Sequence, residues 1–133
     1  MKITEVTALP VSVGGDYAAH SDRYDWAVIV VLVRTDEGLT GIGEASLAGR
    51  GRGVLGILDH VSELLAGQDP GRIEHWWSEL VRGTFWSTGQ VVMSAVAGID
   101  MALWWYPSGA SSAARPASGC ASTAISRVRR RKN

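Results

Sequence analysis

The sequence predicts an α+β fold: a three-stranded antiparallel meander followed by a small helical bundle. Three observations predict it. Three strand-like stretches follow one another between residues 2 and 46, separated by loop and turn chemistry. After Gly49-Arg50-Gly51-Arg52-Gly53 the apolar period changes from that of a strand to that of a helix. Strands and helices therefore fall in separate blocks, which is the pattern of an α+β domain.

Residues 2–13 are rich in β-branched side chains with partial alternation, and Pro10, which has no N–H to give a ladder, suits an edge strand. Residues 14–23 are polar and read as a loop. Residues 26–33 are apolar almost throughout, as in a strand covered on both faces. Thr35-Asp36-Glu37-Gly38 is turn chemistry, and residues 40–46 return as a third strand. Gly41 and Gly43 mark places in it where another backbone comes close. Val54, Leu55, Leu58, Val61, Leu64 and Leu65 then recur at helical spacing, and Gly67 punctuates the end. Pro70 fits the first turn of the next helix, where a missing N–H costs nothing, and Ile73, Trp76, Trp77 and Leu80 continue it. A third helix spans about 91–104, with Ala95, Ala97, Gly98 and Ala102 small enough for close packing.

The formal charge of zero conceals a split. Residues 1–105 carry 7 Lys+Arg against 13 Asp+Glu, a net −6, whereas residues 106–133 carry 6 Lys+Arg and no acid, a net +6. The basic run Arg127-Val128-Arg129-Arg130-Arg131-Lys132 has the composition of a nucleic-acid or localisation tail. Arginine-rich text is also what a GC-rich gene yields out of frame, and that reading is taken: no nucleic-acid partner is expected. Cys120 is the only cysteine, so neither a disulfide nor a thiolate metal cluster is available. Met1-Lys2-Ile3-Thr4-Glu5 opens a strand with no signal-peptide apolar region, and the apolar run at 26–33 is too short to span a bilayer. The expectation is a cytoplasmic chain with no membrane contact.

Several segments resemble one family. AVAGIDMALW at 95–104, TDEGLTGIGEA at 35–45 and GQDP at 67–70 resemble the N-terminal capping domain of the enolase superfamily, in its mandelate racemase and muconate lactonizing enzyme branch. HWWSELVRGTFWSTGQVVMSAVAGID at 75–100 is similar to the acid-sugar dehydratase group, galactonate dehydratase especially. The resemblance covers residues 1–104 and implies the enolase-type cap, with the catalytic barrel of the family absent. It implies further that full-length members are Mg2+-dependent lyases acting on sugar acids. They abstract a proton alpha to a carboxylate, and the metal stabilises the resulting enediolate.

The text after Trp104 fits no fold. In the family, AVAGIDMALW leads through a D-I-K-G-K-A-L-G-type segment to a V-P-V-W-R-L-L-G-G-type entry into the barrel. When each codon from Trp105 onward is read from its last base, the permitted translation is V-P-V-W-R-L-L-G-G, and residues 115–123 permit P-T-R-V-R-V-R-V-Y. The expectation is a gene disrupted near Trp104 or Trp105, leaving residues 105–133 as an out-of-frame, disordered tail.

The family's metal carboxylates and its Lys or His base lie at the ends of barrel strands. The resemblance therefore implies no catalytic residue, no metal ligand and no cofactor in this chain. What it does imply is a lid. The loops at 14–25 and 47–53 correspond to the cap loops that close over the barrel mouth, and His20, Arg23, Tyr24, Arg50 and Arg52 offer donors to a polyhydroxy carboxylate. Without a barrel opposite them, these loops are ordinary solvated loops. Glu44, after Gly41-Ile42-Gly43, reads as a structural carboxylate bonding loop amides, although its place beside the Gly-rich loop also suits a site. Asp100 reads as a buried cap or domain-interface partner, and His60 and His75 as decoration of exposed helix edges. The tryptophans read mostly as packing residues, with Trp76, Trp77 and Trp86 turned toward helices or the missing barrel.

Three functions remain in view: an inactive capping-domain fragment, a functional dehydratase in its full-length form, and a stand-alone interaction module with a basic tail. The expected partners are the missing barrel domain, a sugar acid only in a full-length enzyme, and another copy of the chain through uncovered apolar surface.

Overall fold

The computed structural model describes residues 1–12, 27–83 and 89–109, and shows three strands followed by three helices. The strands are β1 (Ile3–Ser12), β2 (Ala27–Thr35) and β3 (Thr40–Glu44); the helices are α1 (Gly51–Leu65), α2 (Ile73–Arg82) and α3 (Gln90–Gly109). The sheet is antiparallel in the order β1-β2-β3, the meander expected from the short connections. Pro10 does lie on an edge strand, paired with Ile29.

The register decides which side chains meet the helices. Val31 pairs with Ala8 and Gly43, and Val33 with Val6 and Gly41, so these positions share one face. That face is the core: Ile29, Val31 and Val33 are fully buried together with Ala45, Val54, Leu58, Leu65, Ile99, Ala102 and Leu103. The other face carries Leu32 opposite Ile42 and Thr7, and Arg34 opposite Glu5 and Thr40. Leu32 is buried there, but Val28 and Val30 are only half-buried, so β2 is less evenly covered than its apolar run implies.

The connections follow from local chemistry. In the β2–β3 turn, the Thr35 N–H donates to the Leu39 carbonyl and the Leu39 N–H to the Thr35 hydroxyl, while Gly38 takes a φ of 79°, a region open to glycine. α1 buries Val54, Leu58, Val61 and Leu65 along one stripe; Leu64 belongs to the same apolar series but falls off that stripe and is exposed. Gly67, at φ 80°, ends the helix and turns the chain back against β1. There the Ile3 N–H donates to the Gln68 carbonyl and the Gly67 N–H to the Ile3 carbonyl, each at 2.8 Å.

Two helix boundaries differ from expectation. Pro70 is not in the first turn of α2; it lies buried in the preceding turn, and α2 begins at Ile73. The Asp69 carboxylate accepts the Gly71 N–H at 2.9 Å, and the Trp76 indole N–H donates to the Asp69 carbonyl at 3.0 Å. A side-chain turn anchored by a tryptophan therefore occupies the space where an extra helical turn would have been. α3 continues to Gly109, past the end expected at Trp104. Helix propagation needs only one bond per added residue. Pro107 cannot donate to the Leu103 carbonyl, and α3 ends within a turn of it.

α3 lies across β3 and β2 at unusually close range. A Cβ built on Gly98 would sit 2.7 Å from the Ala45 Cβ and 3.0 Å from the Val31 Cγ2. A Cβ on Gly43 would fall inside the Gly98 carbonyl oxygen. Gly43 thus has the close backbone neighbour anticipated for it, and that neighbour is Gly98. Only two glycines facing each other allow helix and strand to touch through their backbones.

Candidate functional site

The β3–α1 connection is the part of the expected lid that the structure describes. Gly49 turns it at φ 73°, and the Arg50 N–H closes it on the Leu47 carbonyl at 3.1 Å. Arg50 is the residue before α1, where its carbonyl receives the Gly53 and Val54 N–H groups, and its guanidinium donates to the Gly49 carbonyl at 2.8 Å. Arg52 follows in the first helical turn. Both arginines are exposed.

Helix and side chains both bring positive charge to this corner. No side chain caps the start of α1, and its first turn holds no acidic residue. The first N–H groups of a helix carry its partial positive charge. Adding two guanidinium groups at the same place yields a donor-rich, cationic corner suited to a carboxylate. His20, Arg23 and Tyr24, the other residues assigned to the lid, lie outside the described residues. The structure thus places Arg50 and Arg52 in one short turn and leaves their partners on the other loop undetermined.

The acids are arranged differently from what a site would need. Glu44 ends β3 exposed, on the outer sheet face opposite Val30. The connection is held by other groups: the Ser46 hydroxyl accepts the Ile29 N–H at 3.0 Å, and Leu47 takes the Arg50 N–H. Asp100 is half-buried on α3, beside a shallow surface crevice lined by Trp76, Trp77, Ile99 and Leu103. Burial raises its pKa, the Glu74 carboxylate adds to the rise, and a hydrogen bond from the Trp104 indole opposes it. Among the described residues no group of three or more His, Cys, Asp or Glu could hold a metal ion. Mg2+ demands several oxygen ligands in octahedral array. The described residues therefore do not fit that ion.

The remaining candidates are structural. His75 packs edge-on against Trp76, with ring centroids 4.9 Å apart at 69°, and both His75 and His60 are exposed, as expected of helix edges. Trp76 is buried, whereas Trp77 is exposed and lies under the Arg82 guanidinium at 5.9 Å. Trp86 lies outside the described residues. Among the described residues no helix is long and apolar enough to cross a membrane.

Comparison with known proteins places this architecture. The family model described as "Mandelate racemase / muconate lactonizing enzyme, N-terminal domain" matches residues 5–107. A D-mannonate dehydratase of Rhizorhabdus wittichii is 51% identical over 77 residues, 57% of this chain and 19% of that protein. A D-galactonate dehydratase family member of Pseudarthrobacter chlorophenolicus is 47% identical over 77 residues, again 57% of this chain and 19% of that protein. The chain therefore spans about a fifth of the length of these relatives. Among solved structures, an enolase superfamily member from Salmonella Typhimurium superposes with a TM-score of 0.68 at 32% identity, covering 82% of this chain and 27% of that one. An enolase from Pantoea ananatis, solved with bound D-gluconate and Mg, superposes with a TM-score of 0.64 at 32% identity, covering 77% of this chain and 23% of that one. The meander, the three helices and the matched span agree: the chain belongs to the mandelate racemase / muconate lactonizing enzyme N-terminal domain family.

Proposed function

We propose that residues 1–104 are the capping domain of an acid-sugar dehydratase and supply a substrate lid, while the lyase chemistry and its Mg2+ belong to a barrel domain. The observation that carries this reading is the cationic corner at the start of α1, where Arg50 and Arg52 stand beside uncapped helix N–H groups. A sugar-acid carboxylate is the ligand this chemistry suits. The names of the relatives, D-galactonate and D-mannonate dehydratase, support a six-carbon aldonic acid. Arg23, His20 and Tyr24 would complete the lid from the other loop. Alone, these residues bind and orient; they hold no set of carboxylates and bases able to abstract the alpha proton.

The test is a graft. Residues 1–104 replace the corresponding cap of the D-mannonate dehydratase relative, and dehydration of aldonic acids is followed with Mg2+ present. The expected result is turnover by the graft and none by the 133-residue chain. Arg50→Ala and Arg52→Ala in the graft should raise KM by roughly 10-fold, the scale of one charge-assisted hydrogen bond, with a smaller change in kcat. Mg2+-dependent turnover by the isolated chain, abolished by EDTA, would overturn the reading.

A further inference from the structure

β1 is an edge strand, and the ladder fixes which of its backbone groups turn outward. The Thr35 N–H bonds the Leu39 carbonyl and the Ala45 N–H the Ile29 carbonyl, so the odd positions of β2 turn to β3. Its even positions, Arg34, Leu32 and Val30, therefore bond β1 at Glu5, Thr7 and Leu9. Val6 and Ala8, lying between these, direct their N–H and C=O groups away from the sheet, and Pro10 adds a carbonyl without an N–H. Among the described residues, no backbone group outside the ladder bonds the Val6 or Ala8 amide. Ile3, on the same edge, shows what fits there: its N–H and C=O are both taken by the turn at Gly67 and Gln68.

This edge opens onto a groove. α3 lies over β3 and β2, whereas α1 lies over β1. An open groove of about 510 Å3 runs between β1 and α1 along Glu5–Ala8, with Leu55, Asp59 and Ser62 on its helix side. Outward amides select an extended backbone as the occupant, because a strand presents N–H and C=O groups at matching intervals. The charged residues lining the groove are Glu5 and Asp59, and Glu63 stands one turn beyond Asp59 on α1. Glu5 already holds Arg34, so Asp59 and Glu63 are the acids without an ion pair among the described residues. The occupant this chemistry suits is a basic strand.

The chain carries such a segment. Residues 1–105 have a net charge of −6 and residues 106–133 a net +6 with no acid. Within the latter, Thr123-Ala124-Ile125-Ser126-Arg127-Val128-Arg129 holds three β-branched residues. We infer that residues 123–129 add to the free edge of β1 as a fourth strand, held by charge and by the Val6, Ala8 and Pro10 backbone. Alternation then sets the small Ala124, Ser126 and Val128 on the face covered by α1, with Arg130 and Lys132 continuing toward Asp59 and Glu63. Arg127 and Arg129 fall on the outer face, with Glu5 and Thr7. Residues 110–122 reach up to about 43 Å when extended, ample for a domain whose radius of gyration is about 13 Å. Tethering raises the effective concentration to the millimolar range, so a contact too weak between separate molecules persists. A segment with no core of its own orders where a partner surface supplies one. The inference is independent of the lid and of how the text after Trp104 arose, since it uses neither lid arginine and no catalytic step.

Amide exchange read residue by residue by NMR on the 133-residue chain tests it. At about 20 mM salt the Val6 and Ala8 amides should exchange roughly 10-fold or more slowly than at about 500 mM, where the charges are screened. Thr7 and Leu9, whose amides face β2, are the internal control and should not change with salt. Arg127→Glu/Arg129→Glu should abolish the slow exchange at Val6 and Ala8 and leave the melting of the body unchanged. Ile125→Pro/Ser126→Pro should abolish it as well: of two adjacent N–H groups in a strand one faces β1, and every charge is kept. The protection should be the same at about 20 and 500 μM chain, as an intramolecular contact requires. Fast exchange at Val6 and Ala8 in low salt would overturn the proposal. So would protection that survives either tail variant, which would assign the edge to another occupant. Protection that grows with concentration would overturn it too, and would assign the edge to a second copy of the chain.

Discussion

Gly56→Ala and Gly98→Ala make the same chemical change inside two helices, and the structure requires opposite results. Alanine is favoured over glycine in a helix interior by about 0.8–1.0 kcal/mol. At Gly56, exposed in α1, an added Cβ meets nothing within 4 Å, so that gain should be realised almost in full. At Gly98 the added Cβ would approach the Ala45 Cβ to 2.7 Å and the Val31 Cγ2 to 3.0 Å. Carbon atoms in good contact are about 3.5–4.0 Å apart. Ala45 has no rotamer to change, so α3 must lift from β3 by close to 1 Å. Overpacking of this kind costs about 1–3 kcal/mol, which exceeds the propensity gain and leaves a net loss near 1–2 kcal/mol. Gly43→Ala is more severe, because the obstacle is the Gly98 carbonyl, backbone against backbone; a loss beyond about 3 kcal/mol is expected. Urea unfolding followed by tryptophan fluorescence, with thermal melts alongside, measures all three. For a domain of this size about 1 kcal/mol corresponds to roughly 4–8 °C. The double variant Gly98→Ala/Ala45→Gly should recover part of the loss, giving a measurable coupling energy between the two sites. A Gly98→Ala chain as stable as wild type, or a Gly56→Ala chain less stable, would refute the close-contact argument.

Two further outcomes are expected. Trp76→Phe keeps most of the buried ring but leaves the Asp69 carbonyl without its indole donor, so it should cost about 1 kcal/mol and loosen amide-exchange protection at Gly71 ahead of the strands. The pH profiles of two acid variants should diverge in opposite senses. Glu5 is held below its ordinary 4.5 by the Thr7 hydroxyl and the Arg34 guanidinium, so its contribution is present above 4.5 and lost as pH falls through the folded value. Glu5→Gln should lower stability at neutral pH and flatten the acid limb. Asp100 is raised above its ordinary 3.8, chiefly by burial, so its ionisation costs stability as pH climbs through and above 3.8. Asp100→Asn should raise stability at neutral pH, with the gain vanishing below 3.8, while its amide oxygen still accepts the Trp104 indole. Parallel profiles for the two variants would count against these assignments.

Much of the domain is legible in the sequence because the rules involved are local. Alternation over 2–13, the apolar run at 26–33, the turn at Thr35–Gly38 and the Gly67 stop each depend on neighbours a few residues away. Arg50 and Arg52 come instead from the family resemblance, which makes the loop at 47–53 part of a lid; the local text shows only a glycine-rich break between strand and helix. That they stand at an uncapped helix start was not visible, because α1 begins at Gly51, earlier than its first apolar residue.

What escaped the sequence depends on which segment lies against which. Leu64, exposed, and Leu65, buried, belong to one apolar series, but only Leu65 falls in phase with Val54, Leu58 and Val61, the stripe that lies against the core. Pro70 carries the credentials of a helix start, yet Trp76, six residues on, claims the Asp69 carbonyl and holds the turn open. Gly43 and Gly98 each signal close approach, but that they approach one another is fixed by α3 crossing β3. The small residues of α3 read as one packing surface, and the fold divides them. Ala95, Gly98 and Ala102 go to the sheet while Ala97 stays outside with the methionines. Periodicity alone describes a helix without saying which of its two apolar sides the sheet will take; the backbone contact at Gly98 allows only one.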